Sequence, residues 1–532
     1  MPIPKPHSDS VRPLAVPETI YNLAGLVVLE SISHAMPDIF GSVQLGCGVR
    51  GGVEIALHRT QLALERGGPD TVTLRLDFRN AFNERSGRVI AQALARCSDT
   101  SPLWRFFTLA YGRPSRLGVY SRGRLIREFL ADEGVRQGRP IASFLFALSV
   151  QSLYTDCVKD LTEVEAYAIA DDLTMTGPAM KVLEALERLL AKCAVDGPVL
   201  NLGKCRALWP YPTLSHPSYA PFAARLTELG IAMRFDCIDM LGGTVGLGMS
   251  RAPHTHAVVA SHDRFFAGLA HEDMPTQLAQ LLMRNSGVPL FTYLTRITPP
   301  AVILDAARAF DERLFTAVAA KLGLPPASLD NNTQLIITTP LRYGGLGFRP
   351  HTSTSTCAYY ASIANAMFHI RGPLDPDELL PLYAATDTAH HVRDCHGMLL
   401  ACGLDPNSKQ HKWALPAVAD DTWRFFSQER RPIMPHLQQR LSTAMRDHMY
   451  IKSEMLAPMR LSDDDADEKT QSTASLWLTS VPSSASTFMS DKAFAAAIRH
   501  RYGLPCRDDL PNHCHCGALL ASSPAHFPHA SS

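Results

Sequence analysis

The sequence offers no net charge to reason from: 51 lysines and arginines balance 51 aspartates and glutamates over 532 residues. That balance neither requires nor forbids a nucleic-acid partner, because polyanions are bound by local basic surfaces and not by the whole-chain sum. Cysteine is sparse, twelve residues scattered without the dense spacing of a secreted disulfide scaffold, so reduced thiols in an intracellular compartment are expected. Long apolar runs are lacking as well. The stretch from Leu23 to Leu29 falls far short of the ~20 residues that span a bilayer. Pro2, Pro4 and Pro6 precede any apolar segment, which excludes a signal-peptide pattern, and a soluble protein without a membrane partner is expected. No internal repeat is visible. What is there is a globular composition, 46% hydrophobic and 19% charged, long enough for two to four packed domains.

Strand-like and helix-like segments alternate between Thr71 and Leu208. Val72, Leu74 and Leu76 share one face of a strand, and an amphipathic stretch follows to Cys97. LGVYS and RLIREFL flank Arg122-Gly123 as a hairpin, and Pro140 opens a helix with Ile141, Phe144, Leu145 and Leu148 on one face. A second hairpin surrounds Asp171-Asp172. It is followed by a helix aligning Leu183, Leu186 and Leu190, closed by Gly197 and continued into a strand around Val199. The order predicts an α+β domain with a split β-α-β sheet. From about Ser250 to Tyr450 the pattern is mainly helical, interrupted by Gly344, Gly345 and Gly347. LSDDDADEKTQSTAS from Leu461 is acidic and then Ser/Thr-rich, which marks a linker.

Two features carry chemistry. Asp77 closes the predicted buried strand, where a carboxylate needs a partner, and Asp171-Asp172 occupies the turn of a hairpin, where two acids repel each other. Divalent cations would relieve that crowding, and hard oxygen ligands suit Mg²⁺. Two-metal phosphoryl transfer needs such an arrangement. Taken singly, each acid is more simply read as turn chemistry and solvated charge. Their company changes this. LDFRNAFN, GVRQGRPIASFLFAL, AIADDLTMTG and LNLGKC, in this order, resemble the fingers and palm motifs of the reverse-transcriptase family.

The resemblance implies a right-hand polymerase whose fingers and palm occupy residues 1–248, followed by a mainly helical thumb and post-thumb region over 249–460. The acidic linker then covers 461–485, and 486–532 hold a C-terminal helix and a partial zinc knuckle. It implies that Asp77, Asp171 and Asp172 hold two Mg²⁺ ions, that Lys204 lies near the triphosphate, and that Lys5 and Arg12 grip the incoming nucleotide. Phe82, with Phe78 beside it, lines the nucleotide pocket as a gate against a 2′-hydroxyl; the plainer reading of Phe82 is a core aromatic. Gln137 and Gly138 match the segment that positions template and nucleotide, and Leu241, Gly242 and Gly246 match a primer-grip hairpin. Arg113, Arg116, Arg122, Arg124, Arg127, Arg136 and Arg139 outnumber nearby acids as a track for template phosphates.

LLMRNSGVPLFTYLTRITPP and PLRYGGLGFRP are similar to downstream segments of site-specific non-LTR retrotransposons that carry a restriction-like endonuclease, such as the spliced-leader-associated elements of trypanosomatids. Cys514, Cys516 and His526 match three of the four zinc ligands of their knuckle. The last cysteine is missing, leaving His529 or Cys506 as substitutes. The resemblance implies an RNA template, a DNA primer or target, deoxynucleoside triphosphates and a nuclear site of action. It also suggests a chain cut short at both ends. The competing expectation is a silent retroelement remnant that only binds nucleic acid.

Overall fold

The computed structural model describes residues 2–4, 11–13, 15–16, 18–211, 215–325, 329–341, 345–372, 374–428, 436–452, 478–483 and 487–501. They form two compact units. The first comprises residues 1–251 and 365–389, and the second 252–364 and 390–532.

The strands of the first unit are β1 (Pro2–Pro4), β2 (Val11–Pro13), β3 (Thr71–Leu76), β4 (Ser115–Ser121), β5 (Arg124–Ala131), β6 (Glu165–Ile169), β7 (Asp172–Pro178), β8 (Arg206–Leu208), β9 (Ala232–Arg234), β10 (Cys237–Met240) and β11 (Gly243–Gly246). Five of them make one sheet in the order β6-β7-β3-β8-β9, antiparallel except for the β8/β9 pair. The α-helices within residues 1–251 are α1 (Thr19–Ser31), α2 (Met36–Phe40), α3 (Gly52–Arg66), α4 (Ala81–Glu84), α5 (Gly87–Arg96), α6 (Ser101–Tyr111), α7 (Pro140–Cys157), α8 (Ala179–Asp196) and α9 (Tyr219–Leu229), and the segment 365–389 adds the helix Pro376–Tyr383. The unit is thus α+β.

Alternation decides which face of the sheet is covered. Val72, Leu74 and Leu76 point into the same core as Ala166, Ala168, Leu173 and Met175, and that core is completed by α7 and α8. Burial of each valine, leucine or methionine side chain among these stabilises by about 1.5–3 kcal/mol. The other face carries Thr73 and Thr176, whose hydroxyls meet at 3.0 Å, and α3 packs against β6 and β7. Pro140 opens α7 at a position where no amide bond is lost. The four apolar positions expected on one face of that helix understate it, because every residue from Phe144 to Val150 is buried. α7 is enclosed on nearly all sides.

The strand expected around Val199 is not a strand. Leu200 makes only an isolated bridge to Phe78, and the ladder beside β3 is formed by β8. In the second unit the described secondary structure is helical, including Pro289–Ile297, Pro300–Leu322, His351–Arg371 up to residue 364, Leu437–Lys452 and Asp491–Arg501. Its core stacks Phe291 on Phe310 at 5.1 Å, with His351 edge-on to both. Gly345 and Gly347 lie in an irregular connection after Asn331–Thr338, and Gly344 falls outside the described residues. Among those residues no single helix is long and apolar enough to cross a membrane. α1 and residues Ser33–Phe40 meet that criterion only as a pair bent by 50°.

Candidate active site

Asp77 follows β3 directly, and its backbone is fixed on both sides. Its carbonyl accepts from Asn201 N at 2.7 Å, and its amide donates to Cys205 Sγ at 3.4 Å. The acidic pair does not occupy the turn as a unit. Ala170 and Asp171 are the turn residues, while Asp172 is the first residue of β7 and pairs with Ile169. Ala170 has φ +55°, a left-handed backbone that strains any residue with a Cβ.

The register brings two acids together. Leu76 pairs with Leu173, so one further step sets Asp77 opposite Asp172 on the face turned away from the α7/α8 core. Directly opposed residues have Cβ atoms about 4.5–5.5 Å apart. On the other side of Asp77 the residue set against it is Asn201, beside the Phe78–Leu200 bridge; Lys204 lies on the turn Leu202–Lys204 with its side chain exposed. Beneath the acidic turn lies buried Tyr154. Burial foremost, and then the Asp171 and Asp172 charges, hold its phenol well above the usual range.

Three carboxylates at one sheet end are the right donors for a hard divalent cation. Among the described residues, however, no three His, Cys, Asp or Glu side chains converge closely enough to hold a metal ion. Donor chemistry and backbone register meet the requirement; the side-chain positions do not.

A second wall comes from α4 and the loop before α7. Val135 N donates to Phe82 O at 2.7 Å and Gly134 N to Arg85 O at 3.0 Å, which ties the Gln137-Gly138 loop to the phenylalanine. Phe82 is half-buried with its ring stacked 4.5 Å from Phe146. Phe78 differs from the expectation that it lines a pocket: at 4% exposure its ring faces the core, 6.0 Å from Tyr154. Gln137 O accepts from Ala15 N at 3.0 Å. Gly138 has φ +98°, and a Cβ there would stand 3.0 Å from Ala15 O, so only glycine fits without strain.

Leu241 and Gly242, with φ +50° and +80°, make the two-residue turn joining β10 to β11, a geometry that left-handed residues favour. Gly246 at the far end exchanges two hydrogen bonds with the Gln61 side chain, at 2.8 and 3.2 Å. Arg75 links this hairpin to the sheet, donating to Asp239 O at 2.7 Å and to Lys204 O at 3.4 Å.

The seven arginines divide. Arg113, Arg116, Arg122, Arg124 and Arg127 are exposed, four of them on the β4/β5 hairpin. Arg136 and Arg139 instead turn inward, their guanidinium groups 4.9 Å from the Tyr111 ring and 4.5 Å from the Tyr21 ring, a cation–π arrangement. Arg12 lies in β2, paired with Ile3. Lys5, and with it Cys506, Cys514, Cys516, His526 and His529, lies outside the described residues. Sequence reasoning missed Gln44, Gly46, Tyr154 and Arg75, whose work is done through backbone atoms that no motif spells out.

A comparison of the chain with protein-family models gives no match. The retrotransposable element SLACS 132 kDa protein of Trypanosoma brucei gambiense is 23% identical over 338 residues, 64% of this chain and 27% of that protein. The chain thus spans about a quarter of the length of its curated relative. Solved structures found similar include telomerase from Candida albicans in complex with a TWJ fragment of telomeric RNA, 11% identical with TM-score 0.34, covering 71% of this chain and 55% of that one. Another is telomerase from Candida tropicalis with a TWJ fragment, 11% identical with TM-score 0.36, covering 73% and 64%. Overlays this loose carry no argument about the site. The similarity to a non-LTR retrotransposon protein, which the motifs implied, is what the sequence comparison shows.

Proposed function

We propose that this chain is an RNA-directed DNA polymerase of the non-LTR retrotransposon type, extending a primer 3′-hydroxyl with deoxynucleotides on an RNA template. One observation carries the reading: Asp77, which directly follows β3, and Asp172, which opens the neighbouring antiparallel strand β7, come to the same end of the sheet although far apart in sequence. The four motifs around them keep the family's order. In the reaction the 3′-oxygen attacks the α-phosphorus of the nucleotide and pyrophosphate leaves, a transfer that depends on positioning and on stabilisation of charge. Lys204 is the cation proposed to face the leaving group. Phe82 is proposed to bound the sugar, Gln137 and Gly138 to seat template and nucleotide, and Leu241, Gly242 and Gly246 to hold the primer end. Mg²⁺ at Asp77, Asp171 and Asp172 is proposed on the chemistry of the donors alone. Zinc at Cys514, Cys516 and His526, and nuclear action at a DNA target, rest on the resemblance.

A second reading, a silent remnant that only binds nucleic acid, is favoured by the lack of a convergent metal cluster among the described residues. Primer extension on an RNA template, with Mg²⁺ and deoxynucleotides, separates the two when run beside an Asp171→Ala/Asp172→Ala double variant. Extension by the wild type that disappears in the variant is the expected result. RNA binding without extension by a folded wild-type protein establishes the remnant instead.

A further inference from the structure

We propose that Gln44 is a positioning residue for the acidic turn, resting on the polymerase reading above for its catalytic consequence. Its side chain is completely buried, and a buried amide is retained only when its polar atoms are bonded. Two of its three hydrogen bonds go to a single residue. Gln44 Nε2 donates to Ala170 O at 3.1 Å and Oε1 accepts from Ala170 N at 2.9 Å, while Oε1 also accepts from Gly46 N at 3.0 Å. The amide therefore pairs with Ala170 as a neighbouring strand would.

The backbone of the same segment prepares this. Leu45 N donates to Ala168 O at 2.8 Å, and Ala168 N donates to Val43 O at 2.7 Å, so residues 43–45 run as a short parallel partner of β6. The Gln44 side chain extends that pairing to the turn. A Cβ at Gly46 would stand 2.9 Å from both Ala170 N and Gln44 Oε1, so this position leaves the bracket room. Tyr154 adds its hydroxyl to Ala170 O at 3.4 Å.

The bracket acts on the one residue in the turn that needs it. Ala170 sits at φ +55°, and a strained backbone of this kind persists only where its surroundings over-determine it. Glycine would adopt the conformation unaided. With alanine, the orientation of the next residue, Asp171, depends on what holds Ala170, and Gln44 holds both of its peptide groups.

Three variants test this in the full-length protein: Gln44→Met, which keeps the volume and removes the bonds, Ala170→Gly, and the two combined. Gln44→Met should lower kcat of primer extension by on the order of tenfold to a hundredfold, with KM for primer-template and nucleotide within about twofold. Adding Ala170→Gly should return kcat to near that of Ala170→Gly alone, because glycine removes the strain; a merely structural role would not respond so. Wild-type kcat in Gln44→Met, or no recovery in the double variant, overturns the inference. Hydrogen exchange separates it from the function itself: Gln44→Met should speed exchange in residues 44–46 and 168–171 selectively. If the wild type extends no primer, the polymerase reading fails and the catalytic consequence fails with it. Unchanged exchange in Gln44→Met overturns the bracket whatever the activity.

Discussion

Asp311 and His351 show how far burial alone can move neighbouring groups in opposite directions. Asp311 caps the helix His351–Arg371, accepting from His351 N at 2.8 Å, from Thr352 N at 2.9 Å and from the Thr352 hydroxyl at 2.8 Å. Burial nevertheless outweighs these bonds and pushes its carboxyl up to about 6. Burial also pushes the His351 imidazole down to about 4, against a hydrogen bond to Val288 O that raises it. The signs oppose over one window. A carboxyl raised from 3.8 to about 6 binds more protons folded than unfolded, so its contribution is full at low pH and is lost as pH rises through 6. An imidazole lowered from 6.5 to about 4 binds fewer, so its contribution is lost as pH falls towards 4. Between pH 4 and 6 the two nearly cancel. Asp311→Asn should therefore leave a stability that climbs with pH by on the order of 1 kcal/mol per unit, and His351→Leu one that declines as steeply. Thermal melts of both variants from pH 4 to 6 check this; parallel slopes in both would sink it.

The β4/β5 hairpin shows what a single element contributes. It is a two-stranded sheet of its own, turned by Arg122 and Gly123 in left-handed backbone and irregular at Val119/Tyr120. Residues 122–130 are all exposed, so the strands are held by their own ladder, a marginal arrangement. Arg116 meets Glu128 at 3.5 Å, an exposed pair worth little. That leaves Arg122, Arg124 and Arg127 for a polyanion. Replacing these three by alanine should weaken RNA binding for all sequences alike and reduce the slope of log K against log salt by about 0.7 for each phosphate no longer neutralised. Filter binding across a salt series measures it, and an unchanged slope would discard the hairpin as a phosphate track. This element was legible because its turn dipeptide and flanking β-formers are local. β3 and α7 were legible for the same reason. β8 was not: three residues carry no period, and their partners, β3 and β9, lie far away in sequence. Nor was the bracket on Ala170, since a lone glutamine gives no sign of which backbone it will meet.

Across the whole chain, the segment 365–389 is the part whose membership in the first unit no pattern announces. It returns as the helix Pro376–Tyr383 and the turn after it, and it is held by polar contacts that reach deep into the unit. Arg66 donates to the Tyr383 hydroxyl at 3.1 Å. The Glu65 carboxylate, raised by burial, accepts from Thr388 N at 2.9 Å and from the Thr388 hydroxyl at 3.1 Å. Gln61 then bridges Glu65, at 2.8 Å, to Gly246 O, at 2.8 Å. One chain of hydrogen bonds thus runs from the returning segment through α3 to the β10/β11 hairpin. Networks of this kind are coupled, so losing one member is felt by the rest. In Thr388→Ala the partly buried carboxylate loses one of its donors, a change costing about 0.5–1.5 kcal/mol, and the Gln61 amide that shares it becomes free to shift. Amide exchange at Gly246, whose N–H donates to Gln61 Oε1, should accelerate although residue 388 lies far away in sequence, while exchange in β6 and β7 stays unchanged. Acceleration confined to the neighbours of residue 388 would mean that the returning segment only covers the unit and does not brace its hairpin.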